Sequence, residues 1–298
     1  MENLSSCPVC DKPDFTRFLD GRDYFLSQET YTIVSCNHCG MKFLNPRPDA
    51  NEITKYYFSP DYISHDAGKK SALNFIYRLV RKFTIKGKYR LVKKYSEGKA
   101  LLDIGCGTGE FIHYCRQKGY DVKGIEPGER PGAFARSVHK LDVCDESFLD
   151  DLTRPTFDVI TMWHVLEHVH RLNERMKKIG EILKPDSTVI IAVPNSDSWD
   201  ANHYREFWAA YDLPRHLYHF SQDTMNLLAK NHGFRIDKVI PMKLDAFYIC
   251  LLSEKYSKGK QNYFLAILNG IRSNNFARKN QNNYSSLIFI LSKGKSVK

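Results

Sequence analysis

The sequence lacks both a long hydrophobic run and a leader-like beginning. No stretch of 18 or more consecutive apolar residues occurs, which excludes an ordinary membrane-spanning helix. Residues 1–6 have neither the basic nor the apolar region of a signal peptide. The chain is therefore expected to lie in the cytoplasm.

The sequence also lacks an acidic excess, because 44 Lys and Arg residues face 34 Asp and Glu residues, for a net charge of +10. Ten of the cations fall between Lys69 and Lys94. A solvated helix face is the favoured interpretation of this run. An acidic partner, such as nucleic acid, anionic lipid or a phosphorylated substrate, is the alternative.

Four of the eight cysteines form two close pairs near the N-terminus. Cys7 and Cys10 are separated by 25 residues from Cys36 and Cys39. Two C-x-x-C turns present four thiolates to one tetrahedral metal, so we predict a zinc ribbon. The alternatives are a disulfide, which a reducing compartment disfavours, and a ribbon that has lost its metal. Four cysteines leave no open coordination position, so this zinc is expected to be structural.

The chain is expected to have three parts. Residues 1–48 form the ribbon, which Pro46 and Pro48 end. Residues 49–98 carry apolar residues at helical spacing and form a linker or cap, punctuated by Gly68 and Gly87. Residues 99–298 form an α/β domain with a helical insertion at about 245–283.

A glycine-rich turn follows an apolar run of strand length at residues 99–109. Gly105, Gly107 and Gly109 are spaced G-x-G-x-G, whereas dinucleotide loops have G-x-G-x-x-G. Asp103 precedes the first glycine by two residues, where a carboxylate repels a pyrophosphate and attracts the ammonium group of a methionine moiety. These features favour S-adenosylmethionine over a nicotinamide cofactor.

The second predicted strand, residues 120–125, ends at Glu126. A carboxylate in that place accepts hydrogen bonds from ribose hydroxyls, which supports nucleoside binding without choosing the cofactor. Further strands are predicted at residues 141–145, 157–162 and 189–193, with a helix at 173–183 before the last of them. Strands that alternate with helices predict a parallel sheet with the ligand at its carboxyl edge.

Three motifs resemble those of class I S-adenosylmethionine-dependent methyltransferases, namely residues 102–109, 124–127 and 163–169. Residues 212–220 resemble a bacterial subgroup with an N-terminal zinc ribbon, which is similar to the ubiquinone-biosynthesis O-methyltransferases and to sugar methyltransferases. The resemblance implies a Rossmann-like, seven-stranded sheet whose last strand is antiparallel, with residues 235–240 and 287–291 as its final strands. It also implies cofactor contacts from Asp103, Gly105, Cys106, Gly107, Thr108, Gly109, Glu126, Met162 and Trp163.

Methyl transfer to oxygen usually needs a base besides alignment of the reacting atoms. His216 and His219 are the first candidates, with His164 as a third, and Arg215 is expected to hold an acidic group of the acceptor. The alternative for Arg215, His216 and His219 is a purely structural loop. His164, Glu167 and His168 match an inverted zinc-peptidase pattern, which the methyltransferase context disfavours. The similar quinone O-methyltransferases bind a divalent metal here through glutamates and a histidine, but His164 replaces the first glutamate. The favoured interpretation is therefore that Glu167 and His168 cap or brace the helix, and metal binding is the alternative.

The acceptor is expected to be a small molecule, a sugar, or a lipid or quinone precursor. One alternative is an RNA or protein methyltransferase that holds its substrate with the ribbon and the basic helices. A second is a non-catalytic zinc-ribbon module that senses the cofactor, and a nicotinamide dehydrogenase comes last. For the inserted helices, packing into the core is favoured over covering the acceptor pocket or touching a membrane.

Overall fold

The computed structural model describes the backbone of residues 1–57 and 72–294, and the side chains of residues 72–82 are outside that description. Part of the predicted basic run, including Lys69 and Lys70, and also Gly68, therefore lies outside the described residues. Gly87 does not interrupt the first long helix, α1, which continues through it from Ala72 to Tyr95.

The N-terminal residues build a small antiparallel sheet. Its strands from the ribbon are β1 (Phe15–Arg22), β2 (Thr30–Cys36) and β3 (Lys42–Leu44). A fourth strand, β9 (Tyr218–His219), comes from the α/β part of the chain and pairs with β3. The ribbon sheet is therefore completed by the segment in which the acceptor-side residues were predicted.

The large sheet has seven strands in the order β10-β11-β8-β7-β4-β5-β6. Strand β11 pairs antiparallel with both β10 and β8, and the remaining strand pairs of this sheet are parallel. This arrangement confirms the predicted class of fold. Buried side chains alternate between the two faces along β4 and β7, because both faces are covered by helices. The strands are β4 (Ala100–Ile104), β5 (Asp121–Ile125), β6 (Val143–Cys144), β7 (Phe157–Trp163), β8 (Leu183–Pro194), β10 (Phe234–Pro241) and β11 (Ser286–Lys293).

Helices connect successive strands and pack on the two faces of the sheet. They are α2 (Glu110–Gln117), α3 (Glu129–His139), α4 (Phe148–Asp151), α5 (Leu172–Ile182), α6 (Trp199–Tyr204), α7 (Gln222–Asn231), α8 (Asp245–Lys258) and α9 (Tyr263–Lys279). Short 3-10 turns at Leu166–His168 and Ala209–Tyr211 carry part of the candidate site. In the described part of the chain, no helix combines the length and apolar character needed to cross a bilayer.

The inserted segment contains helices α8 and α9, which pack into the core with only part of their apolar residues. Ile249, Cys250 and Ala266 are buried, whereas Tyr248 and Phe264 are exposed. Helical spacing groups apolar residues on one side of a helix, but it does not show whether another element covers that side.

Candidate active site

The glycine loop connects β4 to α2 at the carboxyl edge of the sheet. Gly105 and Gly107 both have positive φ, which glycine adopts without steric cost. A Cβ on Gly105 would lie 2.4 Å from Cγ2 of Val165, so the loop after β7 packs directly on this turn. A Cβ on Gly107 would meet no atom within 4 Å, which leaves an open cradle for a ligand.

Asp103 is a buried carboxyl group at the end of β4, beside this loop. The Oγ1 of Thr161 on β7 donates a hydrogen bond to it at 2.5 Å. Burial raises the pKa of Asp103 to about 7, an effect that Glu126 increases and that Thr161 and the Lys88 ammonium oppose. An incoming ammonium group would stabilise the carboxylate form.

Glu126 follows β5 and contacts the glycine loop that forms the cradle. Its Oε2 accepts a hydrogen bond from the Gly107 amide, and its Oε1 accepts one from the Gly128 amide, both at 2.8 Å. Burial raises the pKa of this carboxyl group, while the two amides lower it. Each carboxylate oxygen keeps acceptor capacity for a ribose hydroxyl.

The carboxyl end of β7 supplies Met162 and Trp163, both buried. The Trp163 ring meets Phe111 edge-on with 5.6 Å between ring centroids, and Nζ of Lys88 lies 4.6 Å from its centroid. Among the described residues, its indole Nε1 has no hydrogen-bond partner although it is buried. The residues predicted to contact the cofactor thus lie together at one edge of the sheet. They are Asp103, the glycine loop, Glu126 and the end of β7.

His164 leaves β7 in the left-handed region, with φ 57°. Its Nδ1 lies 3.4 Å from Oε1 of Glu167, and its Nε2 lies 3.3 Å from Oδ2 of Asp245 at the start of α8. Burial acts to lower the pKa of His164, but the two carboxylates outweigh it and raise the pKa to about 9. The side chain stays 34% exposed, so an acceptor can reach it.

Glu167, His168 and His216 form a cluster whose ligand atoms lie within 4.8 Å of one another. Glu167 is fully buried, and in the described structure neither carboxylate oxygen has a hydrogen-bond partner. Since a carbonyl can only accept, Nδ1 of His168 donates to Arg215 and Nδ1 of His216 donates to Ala210. In the neutral form of each ring Nε2 then carries the lone pair, the tautomer that metal-binding imidazoles need.

This donor set fits the divalent cation that the resemblance implies. The buried carboxylate of Glu167 is costly unless positive charge compensates it, and besides the His164 imidazolium at 3.4 Å a divalent cation in the cluster would supply such charge. The set differs from the sequence motif of His164, Glu167 and His168, since His216, which follows α6 and the 3-10 turn Ala209–Tyr211, contributes in place of His164. Glu167, His168 and His216 would hold such an ion.

Arg215 is placed differently from its predicted acceptor-binding role. Its guanidinium donates to Asp212 at 2.6 Å and to Asp23 of the ribbon at 3.1 Å, and it is buried. Its Nη1 also donates to the Tyr56 carbonyl. This chain's own acceptors thus occupy the guanidinium, which favours a structural role over contact with an acceptor.

His219 lies on β9 and is also buried. Burial, together with the nearby His216 and Lys42, holds the pKa of His219 well below its usual range. Its Nε2 has no hydrogen-bond partner among the described residues. Of the three histidines predicted as bases, His164 is the one with substantial exposure. The residue after it, Val165, packs against Gly105 of the glycine loop.

The four ribbon cysteines converge with their ligand atoms within 4.8 Å of one another. The Sγ atoms of Cys7 and Cys39 are 3.5 Å apart, as are those of Cys10 and Cys36, distances that no disulfide allows. Asp11 and Gly40, which follow the two turns, both adopt positive φ and let the chain double back.

Sequence reasoning missed Asp245, the partner of His164, and Asp23, the partner of Arg215. Asp23 and Arg215 are 192 residues apart, so no local pattern connects them. A lone acidic residue at the start of an inserted helix also has an ordinary explanation, since negative charge is favourable at a helix N-terminus.

Comparison with known proteins agrees with this geometry. A family model described as a methyltransferase domain matches residues 77–239, more than half of the chain. The ubiquinone biosynthesis O-methyltransferase of Pseudomonas aeruginosa (strain UCBPP-PA14) is 33% identical over 107 residues, which cover 33% of this chain and 45% of that protein. The protein of the same name from Pseudomonas fluorescens (strain SBW25) is 31% identical over 106 residues, with the same coverage. The chain thus spans about half the length of the curated relatives it matches.

Two solved structures share the fold. A SAM dependent methyltransferase from Archaeoglobus fulgidus superposes with a TM-score of 0.51 at 22% identity, covering 72% of this chain and 94% of that one. Magnesium protoporphyrin IX methyltransferase from Synechocystis PCC 6803, with bound SAH, gives 0.54 at 13% identity, covering 83% and 100%. With the matched family model and the cofactor cradle, this chain belongs to the class I S-adenosylmethionine-dependent methyltransferases.

Proposed function

We propose that the chain transfers the methyl group of S-adenosylmethionine to an oxygen atom of a small molecule, a sugar, or a lipid or quinone precursor. The observation that carries this proposal is the position of His164, next to the glycine loop and between the carboxylates of Glu167 and Asp245. Because the two carboxylates raise the pKa of His164 to about 9, the neutral ring that takes the acceptor proton is a minor form at neutral pH, and the transfer rate should rise with pH towards that value. The relatives' names, which specify O-methyl transfer in quinone synthesis, support the oxygen acceptor.

The remaining site residues have supporting roles in this proposal. Asp103 receives the ammonium group of the cofactor, and Glu126 its ribose hydroxyls. Glu167, His168 and His216 would hold a divalent cation, which when bound would lower the pKa of an acceptor hydroxyl as a Lewis acid. Asp245 orients the His164 ring.

The acceptor class is tested with methyl-labelled S-adenosylmethionine, the purified protein and an extract of the source cells. After incubation, the extract is separated into small molecules, lipids and saccharides on one side, and nucleic acid and protein on the other. We expect label in the first group, and less of it with an Asp103→Asn variant, because the cofactor then binds weakly. Label confined to macromolecules would overturn the proposal and favour the ribbon and basic helices as the surface that holds substrate.

We also propose that Cys7, Cys10, Cys36 and Cys39 hold zinc, and that residues 1–48 are a structural part of the acceptor side. The Leu44 amide donates to the Leu217 carbonyl, so the ribbon directly orders the segment beside His216. Elemental analysis of the purified protein is expected to give one zinc, which a Cys36→Ser variant loses. Hydrogen exchange at Leu217 should then speed up, and an unchanged zinc content would contradict the assignment.

A further inference from the structure

One side of the inserted helix pair is apolar and exposed. On α9, Phe264, Ile267 and Ile271 are spaced by three and four residues and so share one side of the helix. Tyr263 joins them, because it precedes Ile267 by four residues. Phe264 is 75% exposed and Ile267 is 55% exposed. The small residues Ala266, Ser273 and Ala277 occupy the other side and are buried.

Helix α8 continues this surface. Leu244 and Tyr248 are 58% and 65% exposed and stand one turn apart. Nδ2 of Asn274 donates to the Lys243 carbonyl, which brings the start of α8 beside the second half of α9. We call Leu244, Tyr248, Phe264, Ile267 and Ile271 the apolar face. Exposed apolar side chains grouped on neighbouring helices in this way are typical of an interaction site.

The charges around the apolar face are mostly positive. Between residues 243 and 279 there are seven Lys and Arg residues and two acidic residues. Both acidic side chains are paired within the molecule, Asp245 with His164 and Glu254 with Lys258. Exposed cations stand at both ends of the helix pair, including Lys243, Lys260 and Lys279.

We propose that the apolar face docks on an anionic membrane surface. Apolar side chains enter the boundary between headgroups and acyl chains, while the flanking lysines and arginines meet the negative headgroups. A second copy of this chain is a poorer occupant, because face-to-face contact would bring two positive sets together. The surface borders the candidate acceptor site, since Asp245 is the first residue of α8.

The test is flotation of the whole protein with vesicles of phosphatidylcholine, alone or mixed with phosphatidylglycerol. It needs neither cofactor nor acceptor, so its outcome is independent of the proposed methyl transfer. We expect binding to the mixed vesicles that weakens as salt is raised. A Phe264→Ser, Ile267→Ser variant should bind about tenfold more weakly, because two apolar side chains no longer leave water.

Phe134→Ser is the matched control, since Phe134 is an exposed phenylalanine on α3, at the other edge of the large sheet. It should bind as the unsubstituted protein does, and both variants should unfold at an unchanged temperature. Binding that is absent, equal with phosphatidylcholine alone, or unaffected in the double variant would overturn the proposal. A dimer in sedimentation that the double variant dissociates would overturn it too, because a second copy would then cover the face.

Discussion

Asp23, which follows the first ribbon strand, accepts a hydrogen bond at 3.1 Å from the guanidinium of Arg215, one residue before His216. Both side chains are buried. Asp23 also accepts from the amides of Phe25, Leu26 and Ser27, which orders its own loop. One carboxylate thus connects the fold of the ribbon to the position of the candidate site.

Replacing Asp23 with Asn is expected to loosen this connection. The substitution removes a buried negative charge and leaves Arg215 with Asp212 as its one remaining carboxylate among the described residues. We expect the free energy of unfolding to fall by about 2–4 kcal/mol. Urea denaturation measures the loss, and faster hydrogen exchange at Leu217 and Tyr218 would place it in the acceptor-side segment.

Asp20→Asn provides the control in the same part of the ribbon. Asp20 pairs with Arg17 at the surface, so its loss should cost less than about 1 kcal/mol. Equal destabilisation by the two substitutions would show that the buried pair has no special role.

Cofactor binding is expected to depend on pH through Asp103. Its pKa of about 7 means that the free site holds a neutral carboxyl group below that pH. The ammonium group of the cofactor prefers the carboxylate, so affinity should rise with pH. We expect the affinity for the cofactor to be roughly tenfold lower at about pH 6 than at about pH 8.

Calorimetry with S-adenosylhomocysteine, which carries the same ammonium group, measures this dependence. An Asp103→Asn variant should bind more weakly and should lose the component that changes around pH 7. Lys88, Glu126 and the cofactor's own amine also titrate or act on the site, so the difference between the two proteins is the decisive quantity. An identical pH profile in both would reject the role of Asp103.

The cluster of Glu167, His168 and His216 is expected to bind a divalent ion besides the zinc proposed for the ribbon. Loss of an outer partner already costs a metal site about 10–100-fold in affinity, so Glu167→Gln should cost at least about a hundredfold. Titration with Co²⁺, followed by its visible absorption, reads the site directly. Glu254→Gln is the control, because Glu254 is a buried glutamate paired with Lys258 outside the cluster. Equal Co²⁺ affinity in the two variants would contradict metal binding by the cluster.

Features that depend on local pattern could be predicted from the sequence. Asp103, the glycine turn and Glu126 lie at strand ends, so their convergence follows from a parallel sheet. The convergence of the four ribbon cysteines could be predicted from their spacing. The pair of Asp245 with His164 could not be predicted, since it depends on where the insertion returns to the sheet. For the same reason, the sequence indicated a helical insertion that includes Phe264 and Ile267 but not that these side chains are exposed.

Replacing His164 with Asn is expected to separate acceptor chemistry from cofactor binding. Asparagine tolerates the positive φ of this position, so the turn after β7 should keep its shape. It cannot take the acceptor proton, and the methyl transfer rate should fall about a hundredfold or more. Transfer of label to the reactive fraction of the cell extract measures the rate, and calorimetry should find S-adenosylhomocysteine binding unchanged. His203→Asn is the control, because His203 stacks on Trp199 and is not one of the residues placed in the cradle or in the cluster. A His164→Asn enzyme as active as this control would exclude His164 as the base and return His216 and His219 to consideration.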